Sequence, residues 1–248
     1  VGRDDSVKPP PARPLRVCMV VHAYYEGDAR VRRYGESLVA AGHRVTVLAL
    51  RSKLLMGYGL GLFLAMLLTF FAIRTRIGTD FLELMTAMFN PLPAIALLPL
   101  ALIWFGLGDK SIIFVLVHSV LWAVALNTHS GFKSVSNTLR MVGRNYGLSG
   151  FSYVVKILVP AAFPSILTGL KIGWAFAWRT LIAAELVFGV SSGAGGLGWF
   201  IFENRNLLDT ANVFAGLATV MAVGLIVEGV IFRTIENKTI RRWGMQHG

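Results

Sequence analysis

The chain is built of long apolar blocks separated by short polar punctuation. Leu54 to Ile73 is apolar over 20 residues, long enough as a helix to cross about 30 Å of hydrocarbon. Phe81 to Gly108 is longer and interrupted at Pro91 and Pro93, which predicts a kinked or discontinuous helix ending in the Phe105-Gly106-Leu107-Gly108 turn. Ile112 to Thr128, Ser165 to Phe188 and Ala211 to Ile231 predict three further spans, five in all. Between the third and fourth blocks the period changes. Val135, Leu139, Val142 and Tyr146 recur at helical spacing while Asn137, Arg140 and Arg144 fall on the opposite face, which predicts a short amphipathic helix ended by Gly147. A second short helix, Phe151 to Val159, precedes Pro160 and Pro164, which set the entry into the next span.

The first residues follow another pattern. Gly2 to Pro14 is a proline- and charge-rich tail expected to be disordered. Val17 to Val21 and Val45 to Leu50 read as buried strands, and Ala29 to Ala41, closed by Gly42, reads as the helix between them. The expected divisions are a tail (1–14), a βαβ-like fragment (15–52) and an all-α polytopic membrane domain (53–248). Such a fragment is too small to bury both faces of its strands alone. Cys18, the single cysteine, excludes an intramolecular disulfide and reads as a small core residue.

Composition strengthens the membrane reading. Of 248 residues, 55% are hydrophobic and 15% charged, against about 25% charged in soluble domains. The net charge of +11 raises nucleic-acid binding, but the cations cluster before the first span, in the central loop and at the C-terminus, as juxtamembrane charges beside lipid do. No nucleic-acid partner is expected. The loop with Lys133, Arg140, Arg144 and Lys156 and the tail with Arg233, Lys238, Arg241 and Arg242 are placed in the cytoplasm, and the loop before Thr210 outside. Counting back, the Arg74 to Asp80 connection is also cytoplasmic, which sends the N-terminus outward although ten Lys and Arg residues precede Leu54. A helix missing before Leu54 would account for both the conflict and the count of five.

Candidate chemistry is sparse. Gly193-Ala194-Gly195-Gly196-Leu197-Gly198 matches a dinucleotide-binding fingerprint by letter, but no strand precedes it, and a tight, flexible connection between spans is the expectation. No glycine loop is followed by Gly-Lys-Ser/Thr, so any ATPase is a separate chain. Lys171, Arg179 and Glu185 are the ionisable groups of the fourth span, where an uncompensated charge costs at least about 2.5 kcal/mol. Lys171 is near the cytoplasmic end and free to snorkel. Arg179 and Glu185 are rotated by about 240° on a helix, so each needs a partner on another helix or a second copy. Arg179 reads either as a contact for a small anion or as half of an interhelical salt bridge. His118 reads as a hydrogen-bonded packing residue rather than a metal or proton site, and no metal site is expected. Trp104, Trp122, Trp174, Trp178 and Trp199 read as an interfacial belt, and Glu228 as paired or interfacial.

Gly147, nine further residues, then Ile157-Leu158-Val159-Pro160 resembles the loop signature of ABC importer permeases, in which E-A-A, three residues, glycine, nine residues and I-x-L-P form the helix that meets the ATPase. Met141-Val142-Gly143 stands where Glu-Ala-Ala is expected, and Val159 replaces a leucine. Asn90-Pro91-Leu92-Pro93 through Leu98-Pro99-Leu100 to Trp104-Phe105-Gly106-Leu107-Gly108, and Gly169-Leu170-Lys171 through Ala184-Glu185 to Gly196-Leu197-Gly198, resemble the branch that imports sulfonates, taurine, nitrate and bicarbonate. The likeness runs from about Lys53 to Trp243.

The resemblance implies a non-enzymatic, multi-pass subunit of the bacterial inner membrane that works by alternating access. It implies a homodimer of permease subunits, cytoplasmic ATPase subunits that bind the ATP, and an extracytoplasmic solute-binding protein, with no cofactor in this chain. The ATPase-coupling residues would be Asn137, Arg140, Met141, Val142, Gly143, Arg144, Gly147, Ile157 and Pro160, with Arg140 and Arg144 facing acidic groups. The pathway candidates are Arg179, Glu185, Gly195, Gly196 and Gly198. Separately, Arg16 to Tyr25, Asp28 to Arg33 and Ala40 to His43 resemble the start of GT-B glycosyltransferases, with His22, Arg30, Arg32 and Arg33 at positions that would face acceptor or phosphate in a whole enzyme. The acidic pair that grips the sugar nucleotide in that family has no counterpart here, so no transferase activity is expected. The front reads as a fused, chimeric segment, with a membrane-anchored glycosyltransferase fragment or a non-functional fusion as the alternative.

Overall fold

The structure, a computed structural model, describes residues 16–21, 44–49, 52–188 and 196–241, together with the helical positions Ser37 and Ala40. It divides into two compact units, Val1–Arg51 and Ser52–Gly248. In the first, β1 (Arg16–Val21) and β2 (Arg44–Ala49) pair in parallel, with Val17 opposite Val45 and Met19 opposite Val47. The tail, His22, Arg30, Arg32, Arg33 and most of the helix expected from Ala29 to Ala41 lie outside the described residues.

The regular structure described in the second unit is all helical. Its elements are α1 (Ser52–Ala72), α2 (Arg76–Phe89), α3 (Ala94–Phe105), α4 (Asp109–Ser134), α5 (Asn137–Asn145), α6 (Gly150–Ala161), α7 (Phe163–Phe188), α8 (Leu197–Asn206) and α9 (Thr210–Lys238). Three stretches, Lys53–Ala72, Asp109–Ser134 and Thr210–Lys238, are long and apolar enough to cross a membrane; counting each bent pair as one span brings the total to five. The bends fall where proline predicts them. α2 and α3 meet at 88° across Pro91 and Pro93, and α6 and α7 meet at 78° between Pro160 and Pro164, because proline removes a helical donor and crowds the preceding turn.

α4 is the central post, with Leu116, Val120 and Val124 fully buried. α1 presents Gly57 and Gly61 to it, and α7 presents Gly169 and Gly173. A Cβ on Gly57 would lie 2.6 Å from Leu116 Cβ, and one on Gly173 would lie 3.0 Å from Val124 Cγ2. Small residues four apart let helix backbones approach closely where hydrocarbon supplies no hydrophobic drive for association. Polar ties hold the ends: Lys53 pairs with Asp109 where α1 and α4 begin, and Lys171 pairs with Glu236 at 2.6 Å between α7 and α9. Lys171 is therefore partnered, half-buried, by a carboxylate of α9. Along α9, Phe214, Leu217, Met221 and Leu225 remain exposed, as a hydrocarbon-facing surface requires.

Two expectations change. The third span continues past Thr128 to Ser134, carrying His129 and Lys133 beyond the apolar block on a helix that needs no break to become polar. Of the glycine run expected to be a flexible connection, Gly196 onward is described, and Leu197 and Gly198 already belong to the helix α8; its apolar run Leu197 to Phe202 is too short for a span.

Candidate functional site

The loop between α4 and α7 is a rigid hairpin of two short helices. Ser136 caps α5, its Oγ accepting from the Leu139 N–H at 3.4 Å. At the other end the Leu148 N–H donates to the Gly143 carbonyl at 3.0 Å and the Gly147 N–H to that of Arg144 at 2.9 Å, the paired bonds of a Schellman closure. Gly147 has φ +69°, which a side chain would strain. Gly143 is the buried residue of α5, and a Cβ there would come within 2.9 Å of both Tyr153 and Ile157. The departure from Glu-Ala-Ala thus places its smallest residue where α5 crosses α6. Ile157 lies in the π turn Val154–Leu158 of α6, and Pro160 stands near the bend into α7.

Arg140 has no carboxylate within ion-pair distance among the described residues; its Nε donates to the Val135 carbonyl at 3.1 Å and its Nη2 to that of Phe132 at 2.5 Å. These are end carbonyls of α4, where a cation is favoured by the helix dipole. Arg140 therefore ties the loop helix to the central post. Asn137, the first residue of α5, and Arg144 in its last turn are exposed. The predicted apolar stripe is covered only at Val135. Leu139, Met141, Val142 and Tyr146 are exposed, Tyr146 to 79%.

Arg179 has no ion pair among the described residues. Its Nε donates to the Ala175 carbonyl at 3.1 Å, and its guanidinium lies 5.0 Å from the Phe176 ring centroid. It stands at a cavity of about 330 Å³ shared with Asn90, His118, Ser119, Trp122 and Thr180. His118 packs edge to face against Phe89 and Trp122, and neither of its ring nitrogens has a hydrogen-bond partner among the described residues. Phe89 stacks on Trp122 at 5.0 Å, and Trp178 is buried; these tryptophans line the interior rather than an interfacial belt. Asn90, His118 and Trp122 were not legible as one site, because only the proline bend between α2 and α3 brings Asn90 against α4.

Glu185 is buried and accepts from the Gly198 N–H at 3.0 Å. A Cβ on Gly196 would overlap its carboxylate. Its partner is thus the start of α8 and not Arg179: amides freed at a helix N-terminus receive a carboxylate where side chains are absent. Gly195 lies outside the described residues.

Residues 57–241 match the family described as the binding-protein-dependent transport system inner membrane component. The chain belongs to that family. As a member it is a multi-pass inner-membrane transport component rather than an enzyme. Among its relatives is the taurine transport system permease protein of Escherichia coli, 34% identical over 141 residues, which cover 57% of this chain and 50% of the relative. Another is the nitrate import permease protein of Synechocystis, 29% identical over 213 residues, 86% of this chain and 73% of the relative. The chain spans only about half the length of the first curated relatives it matches, 55% and 50%. The matched segment begins after β2, at residue 57.

Proposed function

We propose that this permease moves a small oxyanion, of the sulfonate, taurine, nitrate or bicarbonate kind, across the cytoplasmic membrane by alternating access driven by a separate ATPase. The observation that carries the reading is the uncovered face of α5. Leu139, Val142 and Tyr146 stay exposed on a helix held by a cap at each end, by Arg140 and by the Gly143 crossing. Exposed apolar residues on a rigid element outside the span mark a protein contact. A rigid element can pass a partner's displacement into the bundle, which a compliant loop would absorb. ATP is bound by that partner.

The solute class rests on Arg179 and its cavity, and on the names of the relatives. One cation, one amide, two hydroxyls and an imidazole around an otherwise apolar space suit a compact anion that accepts several hydrogen bonds. A second copy of the chain would complete the pathway along the exposed apolar surface, and an extracytoplasmic binding protein would deliver solute to the end where Glu185 caps α8. The glycosyltransferase likeness of the front carries no activity in this reading.

The test is uptake into vesicles carrying the permease with its ATPase and binding protein. Leu139→Ser with Tyr146→Ser is expected to leave the permease folded while the ATPase no longer co-purifies. ATPase retention and uptake at the unsubstituted level would overturn the docking role.

A further inference from the structure

A second cavity, of about 440 Å³, opens beside the loop hairpin, between the α1–α2 turn, the end of α4, α5 and α6. Four permanent cations line it: Arg74, Lys133, Arg140 and Arg144. Lys133 is answered by Glu83 at 2.6 Å. No carboxylate lies within ion-pair distance of Arg74, Arg140 or Arg144 among the described residues. The cavity wall also holds His129, buried to 3% exposure, whose Nδ1 stands 3.9 Å from Glu83 and whose Nε2 has no hydrogen-bond partner among the described residues.

The rim is apolar and aromatic. Phe70 packs edge to face against Phe71 at 5.8 Å and against Phe151 at 5.7 Å, and Arg74 lies 5.5 Å from the Phe70 centroid. Phe71, at the end of the apolar helix α1, and Phe151, at the start of α6, are exposed. A basic floor under aromatic residues at the end of a span is the pairing that holds an anionic headgroup, with cations on the phosphate and rings at headgroup level.

We infer that this cavity is a phosphate-binding site, filled by the headgroup of an anionic phospholipid of the cytoplasmic leaflet. The phosphate would sit among Arg74, Arg144 and the free edge of Arg140, with the first acyl carbons against Phe70 and Phe151. Since Arg140 fastens α5 to α4, an occupied site would brace the hairpin from behind. The inference goes beyond the proposed transport role and stands whether or not α5 docks an ATPase.

The experiment uses the full chain in detergent and follows thermal unfolding as phosphatidylglycerol, phosphatidylcholine or inorganic phosphate is added. Phosphatidylglycerol is expected to raise Tm where phosphatidylcholine does not. Arg74→Gln with Arg144→Gln is expected to weaken that response about thirtyfold, the loss of two cations facing an anionic headgroup. Arg74→Lys with Arg144→Lys is expected to restore most of it, and Arg205→Gln, in the last turn of α8 and outside the cavity lining, to leave it unchanged. Protection by inorganic phosphate alone, lost in the same double variant, also supports the site and assigns it to free phosphate. Equal responses to the two lipids with none to phosphate, or an unchanged response in the double variant, would overturn it. Should Arg74→Gln with Arg144→Gln fail to fold, lipid retained through purification and counted by native mass spectrometry in the unsubstituted chain decides: no preference for phosphatidylglycerol rejects the site.

Discussion

Gly143 and Gly147 are four residues apart and serve different physical needs. Gly143 admits Tyr153 and Ile157 to within contact of the α5 backbone, while Gly147 closes the helix at φ +69°. Gly143→Leu is expected to overpack the crossing and lower stability by about 1–3 kcal/mol, read as a fall in Tm in detergent. Gly147→Val forces a β-branched residue into left-handed backbone at roughly 1–2 kcal/mol. Its expected signature is ATP hydrolysis that continues while uptake falls; unaltered coupling would count against a mechanical role for the closure. Arg179→Gln is expected to abolish uptake while the yield of folded protein is kept, because the guanidinium is exposed at its cavity and its Nε bond is local. An equal loss of folded protein would return Arg179 to a structural role.

At the scale of elements, the proline pairs and the change of hydrophobic period were readable before any coordinates. The bends at Pro91 and Pro93 and between Pro160 and Pro164 follow from removed donors, and α5 from a single amphipathic turn pattern. α8 was hidden because its apolar run follows a glycine cluster and is too short to register as a span. Its role became visible through Glu185, whose carboxylate caps it. Gly196→Ala is therefore expected to push Glu185 away from the α8 N-terminus and to lower Tm, although alanine is elsewhere the better helix former. A rise in Tm on Gly196→Ala would show that the cap carries little weight.

Across the whole molecule, the charge pattern placed the Arg74 to Asp80 connection and the central loop on one side of the membrane. The structure brings Arg74, Lys133, Arg140 and Arg144 around one cavity. What the sequence could not show was who neutralises whom. Arg140 donates to an end carbonyl of α4, Lys171 pairs with Glu236, and Glu185, expected to need a partner on another helix or a second copy, accepts from the Gly198 amide. Each partner is distant in sequence or is backbone, and neither leaves a periodic trace. In the proposed function the uncovered face of α5 couples this permease to an ATPase. The most direct measurement is ATP-dependent uptake of labelled taurine or nitrate into vesicles by the assembled transporter, before and after Leu139→Ser with Tyr146→Ser. The expected result is uptake that requires ATP and is lost with the double substitution while folded permease persists; uptake that is independent of ATP, or untouched by the substitutions, would contradict coupling through α5.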